Sequence, residues 1–266
     1  MAHPVFGRDA PDAAWRPGPE QLESSRLARL LRRLGLPLEE LQARAERDPA
    51  WFWAAVLDDL ALPWQRPPAR ILDTTRGWAW ATWWQGGAFN HAAAALTASD
   101  ASAEAVVWEG EDGEVRTLTG RDLRAAVERA ARGLARAGVG EGSRVGVFLP
   151  MLPETVVTVL ALGLLRAVFT PIFSGYAAPA VATRLRAFEA THLVTADGFR
   201  RRGRWIPMLD AARAAVADTP GVRTTIVVGR EPGREPALEP ARGEVAWDAV
   251  ISASDPAAPP VTGDPS

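Results

Sequence analysis

Residues 144–176, RVGVFLPMLPETVVTVLALGLLRAVFTPIFSGY, decide the fold of this chain. The short apolar run at 144–149 predicts a buried strand, and the run at 167–173 predicts a second one. Between them, Pro153 opens an apolar helix over 153–165, since proline is tolerated where the first turn leaves its N–H groups unbonded. A strand, a helix and a second strand in about 30 residues are typical of a right-handed βαβ unit with parallel strands.

The same alternation continues on both sides of this unit. Helices are predicted at 121–137, 178–190 and 206–217, and strands at 192–195 and 224–228. Short apolar strands that alternate with helices favour a parallel sheet with helices on both faces. The predicted fold class is therefore α/β, with a mainly parallel, doubly wound sheet.

The remaining sequence differs in composition from this α/β part. Leucines at near-helical spacing from Leu22 to Leu34 predict one amphipathic helix, and Asp48 as an N-cap followed by Pro49 predicts the start of a second one that extends to about Leu60. Five tryptophans follow between residues 64 and 84, and packing over a core is their expected role, because a stacking platform for bases would need more basic residues among them. The predicted parts are a loose N-terminal arm at 1–20, a helical and Trp-rich region at 21–100, an α/β subdomain at 101–230 and a linker at 231–266.

Composition limits the classes of protein that the chain can belong to. A hydrophobic content of 47% over 266 residues is enough for a packed domain. A formal net charge of −2 gives no reason to expect nucleic acid or a membrane as a partner. There is no cysteine, so a disulfide framework and a thiolate metal site are excluded, and we expect a cytoplasmic location.

The loop after the strand at 167–173 is the first candidate binding segment. In a doubly wound sheet, ligands bind beyond the carboxyl ends of the strands. Here the sequence reads Phe173, Ser174, Gly175, Tyr176. Glycine permits close approach of a ligand to the backbone, and an aromatic ring can stack on a base. An ordinary strand-to-helix turn is the alternative interpretation.

The loop after the strand at 192–195 is the second candidate segment. Four arginines lie within five residues, at Arg200, Arg201, Arg202 and Arg204, with Gly203 between the last two. Guanidinium groups bind phosphate oxygens through paired hydrogen bonds, so the cluster is suited to a phosphorylated ligand. A solvated surface loop and a site for a polyanion such as RNA are the alternatives.

Other reactive residues give no pattern of catalysis. His3, His91 and His192 are far apart and lack the spacing of metal ligands, so no metal site is predicted. The glycines of GVGEG at 138–142 precede a strand, at the end of the sheet where ligands do not bind, and indicate a plain turn. No paired carboxylates and no nucleophile with a neighbouring base are present, and no catalytic residue is predicted.

Two long segments resemble the acetyl-CoA synthetase-like branch of the AMP-forming acyl-CoA synthetases. WWQGGAFN at 83–90 matches the family's W-[WF]-x-G-G-x-[LF]-N signature. The segment from VVWEGEDG to RRGRWIP, residues 106–207, is similar to the family in its order of helices, strands and loops. The resemblance extends over roughly residues 48–264.

The resemblance implies an acid–thiol ligase, which in full length activates a carboxylic acid with ATP and Mg²⁺ and passes the acyl group to coenzyme A. The family's F-G-G-F loop, which lines the coenzyme A adenine pocket, corresponds to 173–176, with Ser174 at its first glycine. Its R-x-G-R pattern, which contacts the 3′-phosphate of coenzyme A, corresponds to 201–204. The expected coenzyme-binding residues are Phe173, Ser174, Gly175, Arg201, Arg202, Gly203 and Arg204.

Full-length members of the family continue into a T-S-G-[ST]-T-G-x-P-K-G loop for the ATP phosphates and a C-terminal lysine for adenylation. Neither is in these 266 residues, in which all 30 basic residues are arginine. We therefore expect an incomplete N-terminal domain of an adenylate-forming enzyme, inactive by itself, with the missing C-terminal part as a separate chain among its expected partners. Two alternatives stay open, a stand-alone regulatory module that binds coenzyme A or a nucleotide and an interaction subunit that pairs with a separately encoded catalytic half.

Overall fold

The structure, a computed structural model, describes residues 15–98, 100–230, 233 and 235–252. Contacts divide the chain between Ala88 and Phe89 into two compact units. Of the arm predicted at 1–20, residues 1–14 lie outside the described residues.

The first unit contains helices and one antiparallel strand pair. Its elements are α1 (Pro19–Ser24), α2 (Arg26–Leu34), α3 (Leu38–Arg47), α4 (Pro49–Leu60), β1 (Arg70–Asp73), a 3₁₀ turn (Trp78–Trp80) and β2 (Thr82–Gln85), with β1 paired to β2. Two helices were predicted over 22–60. The second begins at Pro49 behind the N-cap Asp48, as predicted, whereas the first is divided at Ser25 and α3 was not predicted. Ser25 Oγ accepts a hydrogen bond from the Ala28 N–H, and Asp48 Oδ1 accepts one from the Trp51 N–H.

The tryptophan-rich segment of the first unit is packed only in part. Trp53 meets Trp83 and Trp84 edge-on, with ring centroids 6.3 Å and 6.1 Å apart. Trp78 and Trp80 are each 66% exposed. Of the five predicted rings, Trp83 and Trp84 pack on Trp53, and Trp64 packs on Trp84 at a centroid distance of 6.4 Å. The predicted packing is wrong for Trp78 and Trp80.

The second unit is the α/β part. Its helices are α5 (His91–Ala98), α6 (Gly120–Arg136), α7 (Pro153–Leu164), α8 (Ala178–Ala187), α9 (Leu209–Ala217) and α10 (Trp247–Ser252), with a 3₁₀ turn at Pro240–Arg242. Its strands are β3 (Glu104–Glu109), β4 (Val115–Thr119), β5 (Arg144–Phe148), β6 (Val168–Pro171), β7 (His192–Ala196), β8 (Gly198–Arg201), β9 (Arg204–Pro207), β10 (Thr224–Val228) and β11 (Glu244–Ala246).

Five strands form one parallel sheet in the order β11-β10-β7-β5-β6. Within the sheet, the connection from β5 to β6 runs toward one edge, and the connections from β6 to β7 and from β7 to β10 run toward the other edge. Since such crossovers are right-handed, α7 lies on one face of the sheet and α8 and α9 lie on the other. The observed packing agrees, since α7 contacts α6 and α8 contacts α9. The predicted doubly wound parallel sheet is confirmed, and its direction of winding switches between β5 and β7.

The core lies between this sheet and its two helical layers. Phe148 of β5, Leu193 of β7 and Ile226 of β10 are almost fully buried. Gly146 of β5 allows the helix to come close, because a methyl group there would lie 2.5 Å from Leu185 Cδ2 of α8. The largely apolar strands β5, β7 and β10 are therefore the ones that the sheet buries on both faces.

Two predicted boundaries are corrected by the structure. The helix predicted at 206–217 begins at Leu209, since residues 204–207 form β9 and pair with β8. The linker predicted at 231–266 contains strand β11, which joins the parallel sheet, and α10, which packs on α6. Gly133 permits that packing, because a Cβ atom there would lie 2.2 Å from the Val250 carbonyl oxygen. Within the described ranges, no helix combines the length and apolar character that a membrane span requires.

Candidate functional site

A cleft of about 660 Å³ lies at the carboxyl edge of the parallel sheet. Each contributing strand of the sheet supplies lining residues just after it ends, and the connection between β3 and β4 supplies the facing wall. The lining after β5, β6, β7 and β10 consists of Pro150, Met151, Leu152, Phe173, Ser174, Phe199, Arg200, Arg201, Gly229 and Arg230. The cleft includes the β5–β7 switch point, where doubly wound sheets bind their ligands, and its volume is typical of small-molecule pockets.

The first predicted loop places Phe173 and Ser174 on the cleft wall. The Phe173 ring is 59% exposed and meets the Tyr176 ring edge-on, at a centroid distance of 5.6 Å. Gly175 does not line the cleft, and its part is steric, because an added Cβ atom would lie 2.6 Å from Phe173 Cε1. The Arg184 guanidinium carbon lies 4.1 Å from the centroid of the Tyr176 ring. The exposed Phe173 ring is thus supported from one side and open to the cleft.

The second predicted loop is a β-hairpin, formed by β8 and β9, and not an irregular loop as predicted. Arg202 and Gly203 form its turn, with φ angles of +52° and +73°, which explains the glycine at the second position. Arg201 and Arg204 face each other in the register on either side of the turn. Arg201 lines the cleft, whereas Arg202, Gly203 and Arg204 lie beside it.

The arginines of this hairpin are available for an anionic ligand. Within residues 15–98, 100–230 and 235–252, no carboxylate oxygen lies within 4.0 Å of the guanidinium nitrogens of Arg200, Arg201 or Arg204. Arg200, which the sequence interpretation did not select, also lines the cleft. Exposed guanidinium groups without an ion-pair partner retain their hydrogen-bond donors for a ligand.

The opposite wall was not predicted from the sequence. Trp108, at the end of β3, donates from its indole Nε1 to the Met151 carbonyl oxygen at 2.7 Å, which fixes the ring over the cleft. The Arg230 guanidinium carbon lies 5.1 Å from the Trp108 ring centroid, within cation–π range. Arg230 directly follows β10 and Gly229, so the rule that ligands lie beyond strand ends could have identified it.

The connection between β3 and β4 also brings negative charge to the cleft. Its acidic tip, residues 109–114, contributes Glu109, Glu111, Asp112 and Glu114 to the lining. Hydrogen bonds from the backbone N–H groups of Arg202 and Gly203 lower the pKa of the Glu111 carboxyl, and the nearby arginine charges lower it further. The cleft therefore has one acidic wall and one basic wall.

The histidines do not form a reactive group. Burial lowers the pKa of His192, whose Nε2 lies 3.3 Å from the Ala137 carbonyl oxygen and whose Nδ1 lies 2.9 Å from Thr191 Oγ1. His91 begins α5, and His3 lies outside the described residues. Across the part of the chain that the structure describes, no three histidines or carboxylates are grouped so that they could hold a metal ion.

Fold and cleft together define a class, the doubly wound α/β proteins with a small-molecule cleft at the switch point of the sheet. Sequence families narrow this class. Residues 38–95 match the acetyl-coenzyme A synthetase N-terminus, and residues 93–265 match the AMP-binding enzyme family. The chain belongs to the AMP-binding enzyme family.

Individual relatives agree with this assignment. The chain is 35% identical over 201 residues to the acetyl-coenzyme A synthetase of Gemmatimonas aurantiaca. That alignment covers 71% of the chain and 29% of the relative. It is 36% identical over 227 residues to the acetyl-coenzyme A synthetase of Mycobacterium tuberculosis. That alignment covers 83% of the chain and 34% of the relative. The solved structure of acetoacetyl-CoA synthetase from Streptomyces lividans superposes with a TM-score of 0.81 at 27% identity, over 94% of the chain and 39% of that protein. The chain thus spans about a third of the length of these proteins.

Proposed function

We propose that this chain supplies the N-terminal part of an AMP-forming acid–thiol ligase and that its cleft receives the nucleotide end of coenzyme A. One observation carries the proposal. Phe173 and Arg201, which lie on two separate loops, line the same cleft at the switch point of the sheet. The names of the relatives, acetyl-coenzyme A synthetase and acetoacetyl-CoA synthetase, support coenzyme A as a substrate and a carboxylic acid as the other.

In this proposal, the exposed Phe173 ring contacts the adenine, with Ser174 and Gly175 forming the backbone beside it. Arg201 and Arg204, which flank the hairpin turn, bind the 3′-phosphate together with the turn residues Arg202 and Gly203. Aromatic rings stack on bases without regard to sequence, and guanidinium groups form charge-assisted hydrogen bonds to phosphate oxygens. The hairpin and the Phe173 loop are thus suited to the two ends of one adenosine 3′-phosphate.

The complete reaction also requires groups that these 266 residues do not contain. In the proposal, the phosphate loop that holds ATP and Mg²⁺ and the adenylating lysine come from further sequence, in the same chain or in a second one. The proposed location is the cytoplasm, since a chain without cysteine needs no oxidising compartment.

Coenzyme A compared with dephospho-coenzyme A tests this proposal. We expect the chain to bind coenzyme A weakly and dephospho-coenzyme A about tenfold to a hundredfold more weakly still, since the second ligand lacks the charge that the arginines recognise. Isothermal titration calorimetry or ligand-observed NMR measures both affinities. Equal affinity for the two ligands would contradict the proposed site.

A second prediction concerns catalysis by a polypeptide of these 266 residues. We expect no adenylation of acetate, propionate or other carboxylic acids, because electrostatic stabilisation of the transition state is usually the largest catalytic contribution and no lysine is present to supply it. Carboxylate-dependent exchange between pyrophosphate and ATP is the measurement. Exchange above a control without protein would show that the adenylation site is complete.

A further inference from the structure

The acidic tip at residues 109–114 places a carboxylate on the turn that is proposed to bind phosphate. Glu111 Oε2 accepts a hydrogen bond from the Gly203 N–H at a donor–acceptor distance of 3.1 Å. The neighbouring Arg202 N–H helps to lower the pKa of the same carboxyl. The turn residues Arg202 and Gly203 both have positive φ angles, and successive N–H groups in such turns form a concave anion site. This site therefore holds an anion of the protein itself.

A second contact joins the same tip to the basic wall. Arg230 Nη2 lies 3.7 Å from Glu114 Oε2, and Arg230 also lies over the Trp108 ring. The tip thus engages basic groups at two places, the hairpin turn and Arg230. Both Glu111 and Glu114 are on the surface of the cleft, where solvent and ligands can reach them.

We propose that Glu111 is an internal competitor that occupies the anion site of the Arg202–Gly203 turn until a phosphate monoester displaces it. This inference rests on the proposed function, since the displacing group is taken to be the 3′-phosphate of coenzyme A. A phosphate monoester carries up to two negative charges and three strong acceptor oxygens, against one charge and two oxygens for the carboxylate. Glu111 therefore favours ligands that carry a terminal phosphate over ligands that lack one.

The contact also explains how the hairpin keeps its shape without a ligand. Several guanidinium groups beside one turn repel each other, and a nearby carboxylate reduces that repulsion. The lowered pKa of Glu111 means that its carboxylate is ionised throughout the neutral range and can act in this way. The cost is direct competition with any anion that approaches the turn.

The substitution Glu111→Gln tests the proposal, with Glu109→Gln as the matched control. Both residues line the cleft and both substitutions remove one negative charge, but within the described residues only Glu111 hydrogen-bonds to the turn. Calorimetry with coenzyme A should show about twofold to fivefold tighter binding for Glu111→Gln than for Glu109→Gln, the range typical of exposed ion pairs. Affinity for dephospho-coenzyme A should be the same in the two variants. Where coenzyme A binds more tightly than dephospho-coenzyme A, equal affinities for coenzyme A in both variants, or weaker binding by Glu111→Gln, would overturn the proposal.

A probe without adenine separates this inference from the proposed function. In protein labelled with ¹⁵N-glycine, inorganic phosphate should shift the Gly203 amide resonance at lower concentration in Glu111→Gln than in wild type or Glu109→Gln. That result supports the competitor role even if coenzyme A and dephospho-coenzyme A bind equally, in which case the proposed function alone is wrong. A Gly203 resonance with the same phosphate dependence in all three proteins would refute the competitor role, whatever coenzyme A does.

Discussion

Replacement of Arg213 by alanine is expected to lower the free energy of unfolding by about 3–5 kcal/mol, the cost typical of a broken buried ion pair. Arg213 lies on α9, and its Nε and Nη2 donate to Glu244 Oε1 and Oε2 at 2.7 Å and 2.8 Å. Only 3% of the Glu244 side chain is exposed. Without the guanidinium, a carboxylate would remain in the interior, and among the described residues only the Glu239 N–H, at 2.8 Å, would hydrogen-bond to it.

The effect should depend on pH in a defined direction. Burial opposes ionisation of Glu244, but the hydrogen bonds from Arg213 and Glu239 outweigh it, so the pKa of Glu244 is lowered. The pair therefore contributes its full stability above the ordinary glutamate pKa, and this contribution is lost as the pH falls through the lowered value. In Arg213→Ala, the pKa of Glu244 would rise, because burial would be opposed by the Glu239 hydrogen bond without the Arg213 hydrogen bonds. The difference between wild type and variant should consequently shrink under acidic conditions.

Urea unfolding followed by circular dichroism and tryptophan fluorescence measures this effect. Arg242→Ala is the control, since Arg242 pairs with Glu239 at 2.8 Å on the surface and its loss should cost less than about 1 kcal/mol. A double replacement, Arg213→Met with Glu244→Leu, should recover most of the stability, because it leaves no unpaired charge. If Arg213→Ala cost no more than Arg242→Ala, the pair would not hold β11 to the sheet.

The sequence predicted the parallel sheet well because burial on both faces leaves a simple pattern. The strand predicted at 224–228 coincides with β10, and that at 144–149 exceeds β5 by one residue. Such strands are largely apolar, and their amino acids alone indicate where they lie. Pro153 likewise begins α7 as predicted.

Strands β9 and β11 were harder to predict, because contacts with residues outside each segment determine whether the segment becomes a strand. Residues 206–217 have helical spacing, yet Ile206 pairs with Phe199 and belongs to β9. Strand β11 was not predicted because it lies in a segment rich in proline and glutamate. Glu244 is buried there only because Arg213 of α9 pairs with its charge, and the local sequence does not show this pairing. Local propensity is a weak guide at such positions, since contacts between distant residues override it.

In the candidate site, too, residues that follow the parallel strands were predictable, and residues positioned by distant contacts were not. Phe173, Ser174 and Arg201 were selected because they follow strands, and the structure places all three on one cleft. Trp108 and Glu111 could not be selected in this way. Glu111 accepts a hydrogen bond from Gly203, which lies 92 residues further along the chain. Glu111 itself is on the connection between β3 and β4, two strands outside the parallel sheet. No spacing or composition rule predicts which distant turn such a connection will contact.

The second large effect is expected at the arginine hairpin. Arg201→Ala should weaken coenzyme A binding by about tenfold to a hundredfold, the loss typical of a charge-assisted hydrogen bond. The loss of affinity in Arg204→Ala should lie toward the lower end of this range, because Arg204 pairs with Arg201 across the hairpin but does not line the cleft. Affinity for dephospho-coenzyme A should change little in either variant, since the contact that is lost goes to the 3′-phosphate.

Arg129→Ala provides the matched control for these variants. Arg129 lies exposed on α6 and makes no ion pair among the described residues, so its removal changes the net charge equally without touching the cleft. Long-range attraction of an anionic ligand would be weakened similarly in all three variants and would disappear as salt is raised, whereas direct contact is screened much less. If Arg201→Ala and Arg204→Ala matched Arg129→Ala at every salt concentration, the hairpin would be a solvated surface feature. A loss confined to Arg201→Ala and Arg204→Ala, and to the ligand with the 3′-phosphate, is the outcome that the geometry predicts.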